Sequence, residues 1–315
     1  MTATDPRSQV PAIPSSSPSR ADQPPTSSRG RKRPGSARST VLTVTIWTCV
    51  AYFLLPLVWL VIASTKNNSD LFSSFGFWVG RSFSLWDNLV TLFTQQDGAF
   101  LLWSLNTLVY SLTSAFGAAF LATAAGYGFA IYKFPGGKAI FSGILGSIMI
   151  PATALAIPTY LLFAGAGITN TPFAVILPSL VSPFGVFLMR VYAADSIPVS
   201  LLEAARIDGA GEYRIFFQVS LRLLGPGIVT VFLFALVSTW NNYFLPLIML
   251  SDPKLFPLTV GLAQLQAASE GGGGAEALFS TVITGSLVSI VPLIIAFLYL
   301  QRYWQSGLAT GGVKE

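Results

Sequence analysis

Apolar residues fill long stretches of this chain, and polar residues gather in the intervals between them. The apolar stretches cover residues 41–63, 101–131, 139–163, 171–189, 225–250 and 278–300. Each approaches or exceeds the ~20 mainly apolar residues that a helix needs to cross a hydrocarbon core. The pattern therefore predicts an all-α integral membrane protein with six transmembrane helices. None of the six stretches holds Asp, Glu, Lys or Arg. Composition points the same way, with 52% hydrophobic and 10% charged residues, against about 25% charged in a typical soluble domain.

The basic residues give the chain an orientation. Arg29, Arg31, Lys32, Arg33, Arg38, Lys133, Lys138, Arg190, Arg206, Arg214, Arg222 and Arg302 fall on one side of the predicted spans, and Lys66, Arg81 and Lys254 on the other. Lys and Arg near span ends are retained in the cytoplasm, so both termini and the segment 193–224 are expected there. The net charge of +5 is spread along one membrane face, which topology explains without a nucleic-acid partner. Residues 1–40, rich in Pro, Ser, Thr and Arg, carry too few large apolar residues to fold. They are expected to be a disordered cytoplasmic tail, in which Arg29–Arg38 reads first as a topology determinant and second as a cluster that could bind membrane lipid headgroups.

Composition also removes several chemistries. With no histidine and one cysteine, Cys49 in the first span, no His-based catalysis, disulfide framework or Cys/His metal site is expected. The charge-free spans argue against a proton-coupled carrier, in which intramembrane carboxylates usually relay protons. Phe75, Phe77, Trp78, Phe83 and Trp86, between the first two spans, read as interfacial anchors. Pro151, Pro158, Pro178, Pro183, Pro246 and Pro292 mark breaks that survive in a bilayer where neighbours or a water-lined cavity satisfy the freed backbone.

One charged passage interrupts the apolar pattern. Pro198 suits the first turn of a helix and Gly209 the position just past its end, which predicts a helix over 198–208. Val199, Leu202 and Ala205 can share one of its faces, while Glu203 and Arg206, three apart, can pair on another. A second helix is predicted from Glu212, with Tyr213, Phe216, Phe217, Ser220 and Leu224 forming a stripe at helical spacing. Small Ala204 and Ala205 permit close approach of another surface. A docking projection and a loop packed only on its own bundle are both open on this pattern.

The residues Glu203-Ala204-Ala205, Asp208-Gly209-Ala210, Phe216, Val219 and Pro226 resemble the EAA loop of permease subunits in binding-protein-dependent ABC importers. One position departs, since Arg222 stands where that family usually has proline. Pro56-Leu57-Val58-Trp59, Ser64-Thr65-Lys66, Ser104-Leu105-Asn106-Thr107-Leu108, Trp240-Asn241-Asn242-Tyr243-Phe244 and Gly307–Lys314 are similar to other signatures of sugar permeases. The pattern is most similar to the second permease of maltose- or trehalose-type systems.

That resemblance implies a multi-pass bacterial inner-membrane protein forming half of a carbohydrate pathway. A homologous sister permease would supply the other half, two ATPase subunits would bind ATP and Mg, and an extracytoplasmic solute-binding protein would deliver a di- or oligosaccharide. Glu203, Ala204, Ala205, Asp208, Gly209 and Phe216 would couple to the ATPase, with Glu203 as the ionic contact. This chain would be non-catalytic and bind no cofactor, and it lacks a G-x-x-x-x-G-K-[ST] phosphate loop, its run Gly271–Gly274 having no lysine. Trp240, Asn241, Asn242 and Tyr243 are the candidates for the substrate pathway, against a role as glue between helices. A permease for a non-sugar solute such as glycerol phosphate, or a secondary transporter, is the alternative.

Overall fold

The computed structural model describes residues 36–270 and 278–311, with side chains described over 40–270 and 278–303. The tail expected to be disordered (up to residue 35), the Gly271–Gly274 run and the last residues of the C-terminal signature lie outside the described residues. Every regular element among the described residues is helical.

Two compact units divide between Leu54 and Leu55. The described part of the first is the leading portion of helix α1 (Ser36–Ser64). Its side chains from Thr40 to Leu54 are all exposed, and Thr45 and Thr48 return their hydroxyls to carbonyls four residues back, at 2.9 Å each.

The second unit contains the remaining helices. A capping segment comes first, with α2 (Asn68–Ser73) and α3 (Leu85–Thr94). Lys66, only 1% exposed, anchors it: its ammonium donates to Ser74 Oγ and the Phe75 carbonyl at 2.9 Å each, and to the Gly76 carbonyl at 3.5 Å. Asp70 accepts the backbone N–H of Arg81 at 2.9 Å, and Asn88 donates to the carbonyls of Ser64 and Lys66. Polar groups of this segment thus close on one another. Phe75, Phe77, Trp78, Phe83 and Trp86 are left exposed.

Helix α4 (Ala99–Ile131) is the axis of the unit. Its buried face is built from small side chains, among them Ser111, Ala115, Ala118, Ala122 and Gly126. Between helices in lipid, where no hydrophobic effect pulls helices together, such residues allow backbones to approach and gain dispersion contacts. A Cβ on Gly126 would lie 2.6 Å from Met189 Cβ and 2.7 Å from the Arg190 nitrogen, so α4 touches α8 (Pro183–Ser196) at backbone distance there.

The third apolar stretch does not form one straight helix. It divides into α5 (Gly137–Ser147) and α6 (Ala152–Gly165), bent by 105° across Ile148–Pro151. Pro151 lacks the amide proton that would continue the helix and disfavours helical backbone in the residue before it. After α7 (Phe173–Ser179), Ser182 caps α8 by accepting the Gly185 N–H at 3.1 Å. The loop elements α9 (Val199–Ile207) and α10 (Glu212–Leu223) follow, and α10 meets α11 (Gly225–Trp240) at 79°. The fifth stretch stops at Trp240, and residues up to Leu250 form the separate α12 (Phe244–Met249). Helix α13 (Leu258–Glu270) and the long α14 (Leu278–Gly311) complete the described chain. Among the described residues four helical segments are long and apolar enough to cross a membrane, and six if each bent pair is one span.

Candidate functional site

The loop between α8 and α11 is a helix pair hinged at glycine. Helix α9 begins after Pro198, whose extended backbone turns the chain into the helix. It ends in a Schellman arrangement: Gly209 N–H donates to the Arg206 carbonyl and Ala210 N–H to the Ala205 carbonyl, both at 3.0 Å. Gly209 sits at φ +80°, where a side chain carrying Cβ is disfavoured. Asp208 precedes it as the helix C-cap, exposed and outside the turn's hydrogen bonds except through its backbone.

Leu202, 1% exposed, seats α9 in a core with Tyr127, Met189, Ile197, Ile215 and Leu224, with Ala205 partly buried at its edge. Val199 does not share that face; it is exposed, because it lies in the first turn, beyond the reach of the bundle. Glu203 and Ala204 are exposed as well. Ile207 and Tyr213, either side of the hinge, are each 86% exposed. Sequence reasoning missed Ile207; the signal was a large apolar residue two positions before the glycine stop, out of phase with Leu202.

The expected aromatic stripe on the second helix is broken. Residues Ile215–Ser220 form a π turn, which adds a residue per turn and changes the helix phase. Ile215, Ser220 and Leu224 are therefore buried, while Tyr213 and Phe217 face outward. Phe216 is half-buried, its ring centroid 5.0 Å from that of Tyr127 on α4. Arg222 is exposed and the helix runs past it to Leu223, so the bend falls at Leu224–Gly225.

Arg206 does not pair with Glu203. Its Nε donates to Glu212 Oε1 at 2.7 Å and its Nη2 to Oε2 at 3.4 Å, a fork that spans the hinge. Tyr132, just beyond α4, donates its hydroxyl to Glu212 Oε2 at 2.6 Å. The Gly209 turn folds α10 back toward α9, which brings Glu212 within reach. Hydrogen bonds from Arg206 and then Tyr132 hold the Glu212 carboxyl below its usual range. The bond to Glu212 raises the Arg206 guanidinium, and partial burial followed by the Glu212 bond pushes up the Tyr132 phenol. Among the described residues Glu203 has no ion pair.

The four pathway candidates divide. Trp240 is buried and donates Nε1 to the Ser289 carbonyl of α14 at 3.2 Å, a bond between helices. Asn241 donates to the Val237 carbonyl of its own helix at 2.9 Å. Asn242 accepts the Leu245 N–H at 3.3 Å through Oδ1, and its carbonyl accepts Thr259 Oγ1 at 2.8 Å. Tyr243 is exposed. A groove of about 180 Å³ between α11 and α14 is lined by Val229, Leu233, Phe234, Val237 and Phe297 among others, and by none of these four. Among the described residues, no cluster of three or more His, Cys, Asp or Glu side chains is placed to hold a metal ion.

Long apolar helices, six apolar stretches free of charged residues and a polar two-helix loop define a multi-pass membrane protein. The family described as "Binding-protein-dependent transport system inner membrane component" matches residues 118–305, and the chain belongs to it. The protein is thus a permease component located in the inner membrane. It is 33% identical to the arabinooligosaccharides transport system permease protein AraQ of Halalkalibacterium halodurans, over 88% of this chain and 96% of that protein. It is 28% identical to the lactose transport system permease protein LacG of Rhizobium radiobacter, over 90% and 98%. Its fold matches a crystal structure of a bacterial ABC transporter involved in the import of the acidic polysaccharide alginate. The TM-score is 0.73 at 21% identity, covering 85% of this chain and 96% of that one.

Proposed function

We propose that this chain is one of two permease subunits of an ATP-driven importer of a carbohydrate, a di- or oligosaccharide. In this reading both termini and the α9–α10 loop face the cytoplasm, and separate ATPase subunits bind ATP and Mg. A sister permease completes the pathway and an extracytoplasmic solute-binding protein delivers the sugar. The chain itself has no catalytic role. The observation that carries the docking element is α9: Leu202 fixes it to the bundle, while exposed Glu203 and apolar Ile207 project from it. Large exposed apolar side chains beside an exposed charge suit a partner surface.

The cargo assignment rests on the relatives, whose names state arabinooligosaccharide and lactose transport. Asn241 and Tyr243 remain the pathway candidates with exposed side chains. Closure of the ATP-bound partners would push on α9, and the Leu202 seat would pass that push into the spans.

Uptake of labelled mono-, di- and oligosaccharides in cells with and without the protein tests this reading, together with Glu203→Ala and Gly209→Pro. Proline cannot adopt the positive φ of Gly209, so this variant should lose uptake, and Glu203→Ala should lower it. Full uptake in both variants with the ATPase still co-purifying would refute docking. Uptake that survives ATP depletion at constant membrane potential would refute ATP coupling.

A further inference from the structure

Helix α4 is clamped by side-chain hydrogen bonds at its two ends. Near its start, Trp103 Nε1 donates to the Pro253 carbonyl at 3.0 Å. Asn106 Nδ2 donates to Lys254 O at 2.8 Å and to Phe256 O at 3.0 Å, and the Tyr110 hydroxyl to Leu255 O at 2.9 Å. Four consecutive carbonyls of the turn before α13 thus receive donors from one helix. Thr107 Oγ1 accepts the Leu258 N–H at 2.7 Å, fixing the next stretch as well.

At the other end the clamp is Tyr132–Glu212–Arg206, supported by the ring of Tyr127 against Phe216. Both clamps belong to one continuous helix, α4, whose 33 residues run about 50 Å at 1.5 Å per residue. It contains no proline, the usual cause of a sharp kink. A continuous helix held at both ends moves those ends together.

We propose that α4 is a strut that carries displacement between the α9–α10 loop and the turn 253–258 on the opposite end of the unit. Tyr132, Glu212 and Arg206 are positioning residues at one clamp, and Trp103, Asn106 and Tyr110 at the other. The inference rests on the reading that the loop receives the ATPase. It adds that nucleotide-driven movement of the loop reaches the turn through Glu212, rather than through the α10–α11 bend.

The test uses the full complex in liposomes, with Cys49→Ser and Lys254→Cys as background and a membrane-impermeant maleimide as probe. The labelling rate at position 254 is measured without nucleotide and after trapping with ATP and vanadate. The ratio of the two rates in the background protein is expected to differ from one. Tyr132→Phe, which removes only a hydroxyl, and Glu212→Gln should each bring the ratio near one while the ATPase still co-purifies. Asn106→Leu should do so from the other clamp. An unchanged ratio in all three variants, with the ATPase retained, would overturn the strut and leave docking standing. No nucleotide-dependent change in a background protein that retains the ATPase would likewise overturn the strut alone, whereas a background protein that retains no ATPase would overturn docking and the strut with it.

Discussion

The contact of α4 with α8 at Gly126 gives a prediction whose size follows from distances. A Cβ at this position lies 2.6 Å from Met189 Cβ, 2.7 Å from the Arg190 nitrogen and 2.8 Å from the Met189 carbonyl carbon. Non-bonded carbon atoms rest about 3.5–4.0 Å apart, so Gly126→Ala must separate the helices by roughly 1 Å. Two of the three obstacles are backbone atoms and cannot rotate away. Overpacking of this kind costs about 1–3 kcal/mol. Gly128, one half-turn on, has nothing within 4 Å of its Cβ position, so Gly128→Ala receives the same gain in helix propensity without the clash. Propensity cancels between the two variants and the clash remains. Reversible unfolding in detergent should find Gly126→Ala less stable than Gly128→Ala by about 1–3 kcal/mol. Equal stabilities, or the opposite order, would refute the backbone approach of α4 and α8.

Three further outcomes follow from the geometry. Leu202→Ala should cost about 2–5 kcal/mol and expose the 199–224 loop to protease. Lys66→Met leaves the oxygens of Ser74, Phe75 and Gly76 without their shared donor, at about 1–3 kcal/mol for each that stays buried, and should make residues 66–90 susceptible to limited proteolysis. The Glu212 carboxyl is held below its ordinary range, so its contribution is present above the unfolded glutamate pKa and lost as pH falls through the lowered folded value. Amide exchange in the loop, corrected for its intrinsic pH dependence, should stay protected at mildly acidic pH and rise only below the usual glutamate range. Glu212→Gln should remove that transition.

The spans were legible because an apolar run long enough to cross a bilayer has few soluble alternatives. The bend at Ile148–Pro151 was only half legible: Pro151 announced a break, but a 105° turn depends on how α5 and α6 pack separately. The Gly209 hinge was readable from one residue, since a glycine past a helix end has a specific backbone use. The stripe on α10 was misread because a π turn over Ile215–Ser220 has no reliable signal in residue type. The three-residue spacing allowed Arg206 to pair with Glu203, but the hinge brought Glu212 to it instead. The partners of Trp103, Asn106 and Tyr110 lie some 145–150 residues away, which no local pattern reports.

The central claim is that the α9–α10 loop is the surface on which the ATPase docks. In a Cys49→Ser background, Ile207→Cys and, at the opposite end of the unit, Asp252→Cys can be compared in the assembled complex using a short probe that joins a maleimide, for the introduced thiol, to a photoreactive benzophenone, which inserts into neighbouring C–H bonds. The account predicts a cross-linked product between position 207 and the ATPase subunit and none from position 252. Absence of the product at 207, or equal yields from both positions, would contradict it.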